Sequence, residues 1–382
     1  MVGSWGDAHV GPGHVGRAKF DASAVATVNA ILTQYMMRTI LAATALVLIV
    51  LLALAGLFEF IAQLDDTQGN YQTPQVMLFA ALRLPLLAFE MLPIASLIGA
   101  LLGLGALAAN SEIVVMRSAG LSIARLSAMV AMTGVLLLVF TGLLGEFIGP
   151  PLDAYARKMR IEARYEQDDD RLGSAAWVKD GPVFLHLERV STEFEFGSIY
   201  LFRFDDRHEL KSIAKADNSG IGPNDEWMLE NFRETQFRND GVQVVASSLE
   251  VEQFDIDAEV LGISLVKPGS LSGRGLYGYI KYLQRNSLDS ARYETELWYR
   301  IARTATVLVM PVLALAFVFG SLRTGGAGAR LMIGVIIGLA YYLASEMLAN
   351  SGQVFDLNPA IVAWLPSALL FVVTIFALKR VR

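Results

Sequence analysis

The residues best placed to do chemistry in this sequence are charges set beside or inside apolar runs, where a charge is costly and usually has a purpose. Arg157, Lys158, Arg160 and Arg164 follow an apolar run that ends near Ile148, and Arg300 and Arg303 flank the start of another. Clustered cations suit phosphate or carboxylate, which arginine grips through paired hydrogen bonds. Singly, each reads as ordinary helix surface balanced by Glu162 and Glu166; together they read as a basic rim for an anionic ligand. Glu59, Arg83, Glu90, Glu146 and Glu346 lie within apolar runs themselves. Arg83 and Glu90, seven residues apart, share one helical face. Glu59 has an equally good plain reading, a carboxylate reaching to the membrane interface.

The stretch 110–121 carries a second pattern. Ser111 is of a type that caps helices, Glu112 would sit in the first turn where the helix dipole favours an acid, and Gly120 supplies a stop. Ile113, Val114, Val115 and Met116 give so short a helix an apolar surface that it cannot bury alone. A partner's groove would cover it; so would packing back onto the membrane surface.

Other chemistry is excluded. No Gly-x-x-x-x-Gly-Lys-[Ser/Thr] phosphate cradle occurs, so ATP, if used, is bound elsewhere. There are no cysteines, and the four histidines, His9, His14, His186 and His208, form no ligand cluster. No nucleophile–base pair stands out. The expectation is a non-catalytic chain with no cofactor or metal of its own, and nothing suggests nucleic acid as a partner.

The elements that must position these residues are membrane helices. Charged residues make up only 18% of the 382, against about 25% in soluble domains, and the mean hydropathy is +0.46. Spans of about 20 residues are expected at Thr39–Ile61, Met91–Ala108, Ile123–Ile148, Ile301–Leu322, Leu331–Ala349 and Pro359–Leu378. The apolar stretch from Val76 is too long for one upright span and contains Pro85 and Pro93, so its first part is expected to be interfacial, tilted or kinked. Residues 24–38 are amphipathic and fit either an interfacial helix or an extension of the first span. Residues 1–23, glycine-rich and without an apolar core, read as a flexible extension rather than a signal peptide.

Arg17, Lys19, Arg38, Arg117, Arg125, Arg323, Arg330, Lys379, Arg380 and Arg382 fall on one side of these spans, with Asp65, Asp66 and Asp356 on the other. The positive-inside rule then puts both termini in the cytoplasm. Residues 151–295 lie outside. Their neighbourhood, 150–295, carries 26 acidic against 18 basic side chains, which rules out a span. Alternating runs at 176–179, 183–187, 199–204, 226–229, 235–238 and 242–245, with Asp180-Gly181 and Asp240-Gly241 as hairpin turns, predict an all-β, jelly-roll-like domain. A helical connection follows from Leu276, and residues 296–382 hold the last three spans. On this topology the basic rim meets the outer leaflet, where an anionic lipid is the fitting ligand.

Three spans, an outer β-domain and three more spans resemble the LptF/LptG lipopolysaccharide export permeases. Residues 101–108 followed by Ser111-Glu112-Ile113-Val114-Val115-Met116 are similar to the family's second span and coupling helix. Residues 276–283 with Arg292-Tyr293-Glu294 and Trp298, then 317–323, and Leu365-Pro366-Ser367 resemble the LptG branch in particular. The resemblance covers about residues 30–380. It implies a permease paired with an LptF-type partner, driven by an LptB-type ATPase dimer that uses ATP and Mg, and working with an LptC-type membrane-anchored jelly-roll protein on lipopolysaccharide. It implies that Glu112, Ile113, Val114, Val115 and Met116 contact the ATPase. The lipid-binding candidates are then Glu59, Arg157, Lys158, Arg160, Arg300, Arg303 and Glu346. The sister subunit LptF, or a membrane scaffold whose β-domain binds a periplasmic protein, is the alternative.

Overall fold

A computed structural model describes residues 22–65, 67, 70–165, 176–188, 197–205, 207–222, 226–238, 240–254, 267–319, 326–355 and 357–380. The expectations for most of the N-terminal extension and for Asp66, Glu166, Arg323, Asp356 and Arg382 lie outside the described residues.

Among the described residues, six helices are long and apolar enough to cross a membrane. The first, α1 (Ala22–Leu64), runs unbroken through residues 24–38 into the first span. The second, α2 (Thr73–Ala109), is also one helix of 37 residues, passing through Pro85 and Pro93. The expected interfacial segment before Met91 is therefore part of the same rod. Each proline removes one backbone bond, and packing on both sides holds the rod together. It is the central post of the bundle, 72% buried over its most apolar window, against 17% for α1.

Close approach to α2 rests on glycine. A Cβ on Gly99 would collide with the Thr44 backbone of α1, and one on Gly103 would lie 3.2 Å from the Thr39 carbonyl oxygen. The glycine pattern of the fifth span serves the same post, because Gly334 and Gly338 seat on Ile98, Leu101 and Ile94. These glycines are packing surfaces within the chain.

After α2, the short α3 (Glu112–Ser118) leads into α4 (Ile123–Leu143). Ser111 does not cap α3: it is left-handed, with φ 62°, and its side chain accepts no capping bond. Gly120, at φ 94°, ends α3 as expected. A π-turn at Leu144–Ile148 joins α4 to α5 (Gly149–Tyr165), so the third span's helix continues well beyond Ile148. The π-turn has a cause in Pro150 and Pro151, which lack the N–H groups that a regular helix would return to Glu146 and Phe147.

The β-domain is a seven-stranded antiparallel sheet: β1 (Ala176–Asp180), β2 (Val183–Leu187), β3 (Ile199–Phe204), β4 (Leu210–Ala216), β5 (Asn218–Ile221), β6 (Trp227–Arg238) and β7 (Gly241–Glu252). Strands β4 and β5 run along one edge of β6 and β7 along the other. The expected strands at 226–229 and 235–238 are two ends of β6. Alternation puts Val178, Leu185, Leu187, Ile199, Leu201, Trp227 and Leu229 on one face, and α6 (Gly273–Arg285) fills it with Leu276, Tyr279, Tyr282 and Leu283. The Tyr282 hydroxyl accepts from the Lys179 N–H at 3.0 Å and donates to the Lys179 carbonyl at 2.9 Å, locking helix to sheet edge.

The chain returns through α7 (Ala291–Phe319), α8 (Ala327–Val354) and α9 (Pro359–Arg380). A hydroxyl cluster ties these three together: Thr306 donates to Ser367 at 2.7 Å, and Tyr341 donates to Thr306 at 3.1 Å.

Candidate functional site

At one end of the bundle, where α2, α5, α7 and α8 meet the turn Pro268–Ser270, a cleft of about 430 Å³ opens. Arg83 and Glu90 come from α2, Arg157 and Arg160 from α5, Lys267 from the connection, Arg292 and Glu296 from α7, and Glu346 from α8. Sequence separations of up to 263 residues, from Arg83 to Glu346, are thus brought to one wall.

The organiser is Asp153, which is fully buried and was not singled out by the sequence. Its Oδ1 accepts from Arg83 Nε at 2.9 Å and its Oδ2 from Arg157 Nε at 2.7 Å. Arg157 also donates to Ser270 Oγ, fastening α5 to the turn below the β-domain. Glu59 pairs with Arg83 at 2.5 Å. Arg160 bonds Gln63 Oε1 at 3.1 Å and, with Arg83, lies against the Phe79 ring, at 5.2 and 5.7 Å from its centre. Such rings hold cations without neutralising them. Five cations line the cleft against the carboxylates Glu90, Glu296 and Glu346. With Glu59 and Asp153 behind the wall the charges balance. Among the described residues, though, Arg160, Lys267 and Arg292 have no carboxylate within ion-pair distance. These three are the cations available to an anionic ligand.

The other candidates are distributed differently. Lys158 turns away from the cleft and meets Glu162 at 3.5 Å, both about half exposed, which is solvated helix surface. Arg303 stacks on Tyr299 and Phe89, with ring centres at 4.4 and 5.6 Å. Arg300 faces the opposite side of α7, where it donates to the Gly145 carbonyl. In the π-turn register Gly149 N–H returns to Leu144, and Pro150, next in line, has no N–H for Gly145, so Arg300 supplies the missing donor. Glu146 accepts from the backbone N–H of Gly273 at 2.7 Å and of Arg274 at 3.0 Å, capping α6 from within the third span's helix. Sequence offered a faint signal for Asp153, its place four residues before Arg157, and none for the Glu146 cap.

The far end of α2 carries α3. Residues 90 and 109 are about 28 Å apart along the helix axis, close to the thickness of a hydrocarbon core, so cleft and α3 sit at opposite ends of the spans. Only half of the expected apolar surface of α3 is open. Ile113 and Met116 are buried against α2 and its neighbours, while Val114 and Val115 are exposed at 50% and 64%.

The fold therefore defines a multi-pass membrane protein with an appended antiparallel β-domain and a polar cleft where the two meet. The chain belongs to the lipopolysaccharide export system permease LptF/LptG family, whose model matches residues 34–380. It is 33% identical over 353 residues to the lipopolysaccharide export system permease protein LptG of Haemophilus influenzae, covering 92% of this chain and 99% of that one. It is 31% identical over 356 residues to the protein of the same name from Escherichia coli K12, covering 92% and 98%.

Proposed function

We propose that this chain is an LptG-type permease subunit of the bacterial inner membrane, which takes lipopolysaccharide from the bilayer and passes it outward, with both termini in the cytoplasm and the β-domain in the periplasm. The observation that carries this reading is the cleft: three cations, Arg160, Lys267 and Arg292, that have no carboxylate partner among the described residues, at the junction of spans and β-domain. A phosphorylated glycolipid lying in the outer half of the bilayer would bring its phosphates to that level. Arg83 and Arg157, pinned by Asp153, keep the wall in shape.

The chain has no phosphate cradle of its own. The energy must then come from a separate ATPase, an LptB-type dimer using ATP and Mg, engaged through α3. Val114 and Val115 supply the open apolar surface for a partner's groove, with Glu112 beside them as an acidic contact. Ile113 and Met116, buried on α2, would pass the motion to the bundle. An LptF-type permease and an LptC-type protein complete the assembly by family analogy.

The test is lipopolysaccharide release and ATP turnover by the complex carrying Arg160→Gln with Arg292→Gln, and separately Glu112→Ala. Loss of release with ATPase retained is expected for the first, and uncoupling of the two for the second. Normal release by the double variant would refute the cleft assignment. A scaffold, the rival reading, would copurify with no ATP-binding subunit.

A further inference from the structure

On the other side of α7 from the cleft lies a second recess, of about 390 Å³. Its walls are Leu138 and Gly142 of α4, and Ile301 and Ala305 of α7, with Phe89 behind. Gly142 keeps it open: a Cβ there would have no atom within 4 Å. Nearby, Ile301, Phe147 and Trp298 leave apolar surface uncovered, and tryptophan is a residue of the headgroup level.

The cation in this recess is Arg300. It is only 6% exposed. One nitrogen donates to the Gly145 carbonyl, and the guanidinium lies 4.7 Å from the centre of the Phe89 ring. Its Nη1 is buried without a hydrogen-bond partner. Among the described residues no carboxylate lies within ion-pair distance of it. Glu146, the acid on the same rim, already accepts from two backbone N–H groups with its two oxygens. A guanidinium so far from water needs an anion, because a buried charge left unpaired is among the costliest features a fold can carry.

We propose that this groove holds an anionic glycerophospholipid of the surrounding bilayer, its phosphodiester on Arg300 and an acyl chain along Gly142 and Ile301, as a site separate from the export cleft. The match is one of charge and of shape. The groove opens toward the apolar surface of α4 and α7 and offers, with Glu146 on its rim, a buried guanidinium whose Nη1 has no hydrogen-bond partner among the described residues. The proposal rests on the span assignment and not on the identity of the exported lipid, so it stands or falls independently of the reading of the cleft.

The experiment is native mass spectrometry of the full chain, reconstituted with equimolar phosphatidylglycerol and phosphatidylcholine and then released from the bilayer. The wild type should retain phosphatidylglycerol in preference to phosphatidylcholine. Arg300→Gln should lower that adduct about tenfold, the loss of one charge-assisted contact, and Arg300→Lys should restore part of it. Gly142→Leu, whose Cβ meets no atom within 4 Å, should expel both lipids. Arg157→Gln with Arg160→Gln, in the cleft, should leave the adduct intact. Unchanged phosphatidylglycerol in Arg300→Gln and Gly142→Leu would overturn the proposal. So would equal retention of the two lipids by the wild type, or loss of the adduct in the cleft variant.

Discussion

Asp153→Asn should weaken the whole upper half of the bundle, and by an amount the structure sets. The carboxylate is fully buried and receives one charge-assisted hydrogen bond from each of two arginines. Bonds of this kind contribute about 1.5–3 kcal/mol each. Asparagine still accepts from one arginine, but its amide N–H₂ then meets the second guanidinium, donor against donor. Arg83 and Arg157 keep 22% and 21% of their side chains exposed, so water relieves part of the loss. The expected cost is about 2–4 kcal/mol, at or below the range for breaking a wholly buried pair. Equilibrium unfolding of the full chain in mixed detergent micelles measures it. Lys158→Gln is the control: its partner is Glu162 and both are about half exposed, so the change should stay within about 0.5 kcal/mol. A double-variant cycle with Arg157→Gln should show coupling of about 1–2 kcal/mol. If Asp153→Asn unfolds with the control, Asp153 does not organise the cleft.

Further expectations concern the helix ends and the β-domain. Val115→Asp should abolish copurification of the proposed ATPase partner while leaving the chain's own unfolding within about 0.5 kcal/mol, since the side chain is exposed; Ile113→Ala, in the packed core, should cost about 2–4 kcal/mol in the same unfolding assay. Glu146→Gln should loosen α6 at its N-terminus by about 1–2 kcal/mol, read as faster amide exchange at Gly273 and Arg274. In the sheet, burial pushes the Glu234 carboxyl up, but hydrogen bonds from Ser212 and Gln236 and the Arg203 guanidinium outweigh it and hold the group below its ordinary 4.5. A carboxyl held low gives stability that is complete above pH 4.5 and is lost as the pH falls through its folded value. Near-ultraviolet circular dichroism should show acid loosening of the β-domain below that point, and Glu234→Gln should flatten it. Burial, reinforced by Tyr293, pushes the Tyr279 hydroxyl above its ordinary 10.0, so the opposite limb appears in alkali: stability present below pH 10 declines as the pH rises through the folded value.

The sequence by itself determined what solvent each segment meets. Unbroken apolar runs can be satisfied only in hydrocarbon, and the period-two alternation of Val183–Leu187 or Ile199–Phe204 only by a sheet with one buried face, so the spans, the strands β1, β2, β3, β6 and β7 and the two Asp-Gly turn signals were legible, whereas β4 and β5 were missed. Local chemistry also fixed the Gly120 stop, since φ 94° needs no side chain to clash. Continuity was not legible. Whether Pro85 broke the second span depended on packing partners far away in sequence, and tertiary contacts overrode the local penalty. The Ser111 cap failed for the same reason: the tight link from α2 to α3 required a left-handed residue where a cap needs an extended one.

Above all, tertiary structure decided which charges meet. A side chain's type says that it wants a partner; only the fold says which one. It took Glu59 to Arg83, gave Asp153 two arginines, turned Lys158 outward, and sent Arg300 to the far side of α7, where a carbonyl orphaned by Pro150 awaited it. Coulomb attraction and hydrogen bonding fall off over a few ångströms, whereas these partners stand 24, 70 and 155 residues apart in the chain. No pattern of spacing along the sequence carries that information.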